Sequence, residues 1–162
     1  MLKIKKYHLY FPPIKQNFWK KNTKSKDKIL DNFKRIVCVG NLNRTKNHLK
    51  LIEYLEFSKI KYKLIIIGKK IENQKKYYNN LVENINKINL SKTNEIKIYQ
   101  NKKSKFIKKV LNNSDIFILP SLEEGLSIAL IEAMCMKTLC LVSKPSNHSK
   151  IINNHKNGYE FS

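Results

Sequence analysis

Short apolar runs rich in β-branched residues recur along this 162-residue chain, separated by longer stretches with helical spacing. Residues 35–40 (RIVCVG), 63–68 (KLIIIG), 95–99 (EIKIY), 115–119 (DIFIL) and 138–143 (TLCLVS) read as strands, and residues 159–161 as the start of a sixth. Between them, Leu51, Ile52 and Leu55, then Tyr77, Leu81, Ile85 and Ile88, then Phe106, Ile107, Val110 and Leu111 follow helical periodicity. Residues 126–136 read as a further helix, and Ile151 and Ile152 as a short one before Gly158. Strands that are apolar on both faces and alternate with helices predict an α/β fold, a Rossmann-like parallel sheet with helices on both faces. Ligands of such sheets bind beyond the carboxyl ends of the strands.

The first 33 residues differ from the rest. Pro12 and Pro13 interrupt regular structure, and residues 20–28 are polar and lysine-rich. They predict a lead-in segment resembling an interdomain linker, followed by one domain over residues 34–162. Phe11, Phe18 and Trp19 fit either docking on the domain surface or the exposed remains of an interface.

The formal charge of +21 invites a nucleic-acid reading. Against it, Arg35 and Arg44 are the only arginines, and the lysines spread along the whole chain. Nucleic-acid readers cluster basic residues and use arginine for bidentate contacts. A solvated lysine coat fits better, with a bias towards anionic ligands and peripheral contact with an anionic membrane surface, and no specific nucleic acid. Cys38, Cys135 and Cys140 sit in apolar runs without metal-ligand spacing, as buried reduced thiols of a cytoplasmic protein do. No bound metal and no cofactor are expected.

Two loops carry the chemistry. After the first strand comes Gly40-Asn41-Leu42-Asn43-Arg44-Thr45-Lys46-Asn47. Arg44 and Lys46 precede a helix N-terminus, a pattern that suits a diphosphate, although a solvated basic turn is common in a chain this rich in lysine. After the fourth strand comes PSLEEGLSIALIEAM, residues 120–134. Gly125 allows close backbone approach to a ligand, and Ser127 can cap the helix. Glu123 and Glu124 fit an ordinary acidic helix start. Glu132 does not, because it is flanked by Leu130, Ile131, Ala133 and Met134 and is costly to bury without a partner.

The 120–134 stretch resembles the signature of the large retaining GT-B glycosyltransferases called group 1 or family four, in which two glutamates are separated by seven residues. Glu124 and Glu132 match that pair. VGNLNRTKNH is similar to the family's first loop, with Lys46 at the lysine position, and NNHKNGYEF resembles its closing turn. The resemblance covers residues 35–161. It implies one half of a GT-B fold, the C-terminal domain that binds a nucleoside-diphosphate sugar as substrate. Lys46, helped by Arg44, would neutralise the leaving diphosphate. Glu132 would hold the ribose hydroxyls. Glu124 would face the transferred sugar, aided by the backbone amides of Gly125, Leu126, Ser127 and Ile128. Transfer would retain the anomeric configuration without a metal.

Several positions depart from the family. Asn41 replaces an arginine after the first glycine, Gln100 a strand-ending glycine, and Ser127 a glycine or proline. Lys137 and Leu139 replace the glycine and proline of the turn after the motif helix. The chain also implies a domain ending before the family's C-terminal helix and needing an acceptor-domain protein chain as partner, so that alone it has little or no activity. The alternative is a non-catalytic or degenerate nucleotide-sugar-binding or interaction module.

Overall fold

The computed structural model describes residues 17–21, 32–146, 148 and 151–162. Phe11 and most of the lead-in lie outside these residues. Among the described residues six strands form one sheet: β1 (Lys34–Val39), β2 (Tyr62–Gly68), β3 (Glu95–Gln100), β4 (Ile116–Leu119), β5 (Leu139–Ser143) and β6 (Tyr159–Phe161). Every pairing is parallel, and the order is β3-β2-β1-β4-β5-β6. The expected Rossmann-like α/β fold is therefore present.

Strand alternation sorts the core into two layers. Ile36 and Cys38 of β1, with Leu64 and Ile66 of β2 and Ile96 of β3, face one way. They pack under α1 (His48–Phe57) and α2 (Lys75–Leu90), which bring Leu51, Ile52, Leu81, Ile85 and Ile88. Val37, Ile67, Phe117, Leu119, Cys140 and Val142 face the other way. These meet Leu111 of α3 (Ser104–Asn112) and Leu130 and Ala133 of α4 (Ile128–Cys135). Both faces being covered explains why the strands read as continuous apolar runs rather than as alternation.

Trp19 belongs to the second layer, at 5% exposure, with Phe18 edge-on to it at 5.0 Å between ring centroids. Lys108 of α3 sits 4.9 Å above the Phe18 ring. Of the two roles open to these aromatics, docking on the domain is the one observed.

Two helix expectations change. The last helix of the motif begins at Ile128 rather than 126, because Ser127 caps it by accepting the Leu130 N–H at 3.3 Å. Ile151 and Ile152 lie in a turn, not a helix; both backbone N–H groups donate to the His148 carbonyl at 2.8 Å. Two apolar residues in sequence give no helical repeat, and Asn153 and Asn154 follow them at once.

The turn ending α4 keeps a left-handed residue. Lys137 has φ 53°, with its N–H on the Met134 carbonyl at 2.9 Å and the Thr138 N–H on Ala133 at 3.1 Å. This is the hydrogen-bond pattern that glycine usually completes. Lysine tolerates it at a steric cost of about 1 kcal/mol. Lys137→Gly is therefore expected to raise the unfolding free energy by up to about 1 kcal/mol, and Lys137→Val to lower it, as read from urea denaturation midpoints.

Candidate functional site

The strand order sets the site. From β1 the chain steps to β2 and β3 on one side, then returns to β4 on the other. The loops leaving β1 and β4 therefore stand side by side at the carboxyl edge, at a topological switch point. The Leu122 N–H donates to the Thr45 carbonyl at 2.8 Å and ties the two loops together.

The β1 loop is stiff. Residues Arg44–Lys46 form one 3-10 turn, capped by Asn43, whose side chain accepts the Lys46 N–H at 3.0 Å. The Asn47 N–H closes onto the Arg44 carbonyl at 3.0 Å. The aliphatic stem of Lys46 lies over Gly40, where an added Cβ would come within 3.2 Å of Lys46 Cδ. A Cβ on Gly68 would fall 1.9 Å from the Gly40 carbonyl oxygen. Gly68 is required for space, whereas a side chain at Gly40 would crowd the flexible Lys46 stem; no described glycine has positive φ.

Lys46 Nζ donates to Glu124 Oε1, with side-chain exposures of 18% and 10%. Ser121 Oγ donates to the same oxygen at 2.9 Å. Behind it, Ser143 Oγ at the end of β5 donates to the Ser121 carbonyl. The expected cationic turn and the first motif glutamate thus meet directly.

The other candidates are arranged around this pair. Gly125 and Ile128 are exposed, Leu126 is partly exposed and Ser127 is buried. No acceptor among the described residues receives the backbone N–H groups of residues 125–128. Such free donors are what a helix start leaves for a ligand or solvent. Arg44 is exposed, and its backbone N–H donates to Gln74 Oε1 at 2.9 Å on the loop after β2. Neither Arg44 nor Glu132 is joined to Lys46 or Glu124 by a hydrogen bond or ion pair. Asn41, at the position the resemblance gives to arginine, is exposed.

Glu132 lies in the middle of α4, four residues past its first, or about 6 Å along the axis. It is partly buried and has no side-chain partner among the described residues. Burial alone holds its carboxyl up at about 7. That is the physical form of the cost read from its apolar neighbours.

Two buried histidines lie close to the site. His48 is fully buried at the start of α1, with Nδ1 3.5 Å from the Tyr77 hydroxyl of α2. Burial, with Lys46 nearby, pushes it down to about 3, so it is neutral. His148 is also buried and within electrostatic reach of Glu124 and Lys46; burial holds it below its ordinary value. It follows β5, so nothing near the motifs signals it. The Asn43 cap was legible as an Asn three residues before Lys46.

The cysteines are free; Cys38 and Cys140 are buried, and burial pushes both thiols up to about 12. Among the described residues no group of three or more His, Cys, Asp and Glu could hold a metal ion. No described helix is long and apolar enough to cross a membrane. A cavity of about 270 Å³ opens beside the paired loops, lined by Asn47, Tyr54, Ser121, Leu122, Lys144 and Phe161 among others. A cavity of about 360 Å³ lies towards the opposite edge, along Arg35, Lys63 and Glu95, and no motif residue lines it.

A doubly wound parallel sheet with helices on both faces matches the architecture of GT-B-type glycosyltransferases. The pattern defining the family described as glycosyl transferases group 1 matches residues 20–162, and the chain belongs to that family. Over 53 residues it is 36% identical to the UDP-Gal:alpha-D-GlcNAc-diphosphoundecaprenol alpha-1,3-galactosyltransferase of Escherichia coli, covering 33% of this chain and 14% of that enzyme. Its fold is similar to that of Anabaena Alr3699/HepE, solved in complex with UDP and glucose (TM-score 0.77, 16% identity, 91% of this chain and 41% of that one). It is also similar to the C-terminal domain of the group 1 family protein LpcC from Francisella tularensis (TM-score 0.73, 20% identity, 93% and 80%). The match thus covers 14% of the galactosyltransferase and 41% of HepE, less than half of either.

The Glu132 carboxyl gives a pH signature. Below about pH 4.5 it is protonated in both folded and unfolded chains, and burial carries no penalty. As pH rises towards 7 the unfolded carboxyl ionises first, so the penalty grows and is complete above 7. Glu132→Gln is expected to be more stable than wild type at pH 8 by on the order of 1–2 kcal/mol, discounted for the solvent reaching this group. The gap should vanish by pH 4 in denaturation curves collected across that range.

Proposed function

We propose that residues 34–162, with Trp19 docked against them, are the donor-binding domain of a retaining glycosyltransferase, taking a nucleoside-diphosphate sugar and working with an acceptor domain. The observation that carries this reading is the contact of Lys46 with Glu124 across the β1–β4 switch point. It puts a cation for the diphosphate and a carboxylate for the sugar within one ligand's reach.

The roles follow from charge and position. Lys46 neutralises the diphosphate as it leaves, and Arg44 adds long-range positive potential from the far flank of the same loop. The amides of residues 125–128 supply preorganised donors where negative charge develops. Glu132 accepts from the vicinal ribose hydroxyls. Only the ionised carboxylate accepts at both oxygens, so donor binding draws a proton from Glu132 near neutral pH. Glu124 faces the transferred sugar. The fold likeness to the LpcC C-terminal domain and to a HepE structure holding UDP supports this assignment. The acceptor attacks from a cleft that a second domain completes, and the isolated chain turns over little donor. Asn41 favours a second reading, a nucleotide-sugar binder with slow or no turnover, because the position lacks a second diphosphate cation.

A calorimetric screen of nucleoside-diphosphate sugars tests the assignment. Binding in the wild type and a loss of at least about tenfold (about 1.4 kcal/mol) in both Lys46→Ala and Glu132→Ala are expected. Tight binding unaffected by either change rejects the assigned roles. Robust transfer by the isolated chain rejects the need for an acceptor domain.

A further inference from the structure

We propose that Glu124 competes with the nucleotide's diphosphate for Lys46, so that the site retains the sugar-bearing nucleotide and expels the spent one. This inference rests on the donor-site reading and adds to it a role in product release.

The ammonium assigned to the diphosphate is paired with Glu124. The donor must therefore displace one of the two partners. Lys46 is the fixed one. Its backbone is capped by Asn43, its turn is closed by Asn47, and its stem rests on Gly40. Glu124 is the one with room to move. It lies between the anchor at Leu122, bonded to Thr45, and the helix cap at Ser127. Gly125 beside it is exposed, and a Cβ built there meets nothing within 4 Å. A swing of residues 123–126 breaks no backbone–backbone hydrogen bond among the described residues and gives up the Lys46 pair and the Ser121 Oγ bond to Glu124.

The exchange is balanced only when a sugar is present. The arriving diphosphate takes Lys46, and the released Glu124 takes hydroxyls of the sugar. After transfer those hydroxyls are gone, while the diphosphate still holds Lys46. A largely buried carboxylate is then left without its cation next to an added negative charge, an arrangement that costs free energy. Among the described residues, Cys38 and His148 are the other titratable groups within reach of both charges; burial keeps the Cys38 thiol protonated and holds His148 below its ordinary value. Ser121 can offer Glu124 one hydrogen bond, which it already gives. Return of Glu124 to Lys46 restores pairing and lowers the affinity of the bare diphosphate.

The test is calorimetry on the full chain with UDP, ADP and GDP, each alone, and with UDP-glucose, ADP-glucose and GDP-glucose. The proteins are wild type, Glu124→Gln, Lys46→Ala and the double variant, with thermal unfolding as a check that Glu124→Gln folds as wild type does. Glu124→Gln is expected to bind the preferred diphosphate about fivefold more tightly, the scale of one released partly exposed ion pair. Its sugar derivative should show no such gain, so the preference for the sugar-bearing form falls. In the Lys46→Ala background the gain should fall to the small part owed to charge repulsion. A gain of undiminished size there means simple removal of repulsion and overturns the exchange. An unchanged or weaker diphosphate affinity in Glu124→Gln, with binding still lost in Lys46→Ala, overturns the exchange and leaves the donor-site reading standing. Wild-type affinity in Lys46→Ala, or no binding of any of the six ligands by the wild type, overturns both.

Discussion

The parallel pairing of β1 with β4 is the constraint on which the site depends. Ile36 pairs with Ile116 and Val37 with Phe117, while β2 and β3 lie on the far side of β1. Two loops separated by more than seventy residues in the chain therefore leave the sheet as neighbours. The backbone bond from Leu122 to Thr45 holds them at that spacing, and Gly68 against Gly40 keeps the rim narrow beneath them. The apolar content of the strands decides the stacking of the sheet. The order of the strands decides where charged groups can meet.

Charge is handled differently on the two sides of that rim. Lys46 and Glu124 are largely withdrawn from water and paired with each other. Glu132 is partly withdrawn and unpaired among the described residues, and its proton is correspondingly hard to remove. A fold selected only for stability would gain by replacing Glu132 with an apolar or neutral residue. A carboxylate kept at such a position is consistent with a partner that arrives from outside the chain. Among the described residues the other lysines are mostly exposed, and together they contribute a long-range positive potential.

Much of this was legible in the residues, for physical reasons that also mark where legibility ends. Strands such as 63–68 stand out because both faces are buried, and α2 stands out because Leu81, Ile85 and Ile88 repeat along one face. Glu132 was readable as anomalous from its neighbours alone. His48 was not, because its burial depends on Tyr77 of α2 approaching the start of α1, a contact between distant segments. The hydrogen bond from Ser143 to Ser121 was invisible for the same reason, whereas the one from Ser121 to Glu124 spans only three residues and depends on how the loop folds back on itself. Ile151 and Ile152 misled because their apolar character serves tertiary packing in a turn, with Ile152 buried among the second layer. Lys137 marked a departure at a glycine position, yet the backbone there keeps the left-handed turn.

The central claim is that one ligand spans the two loops at the β1–β4 switch point. Amide chemical shifts of the isotopically labelled chain, followed while the tightest-binding nucleotide sugar is added, test it most directly. The largest changes are expected within residues 40–47 and 121–132, with Arg35, Lys63 and Glu95 at the opposite edge unmoved. Changes centred on that opposite edge, or confined to one of the two loops, would contradict it.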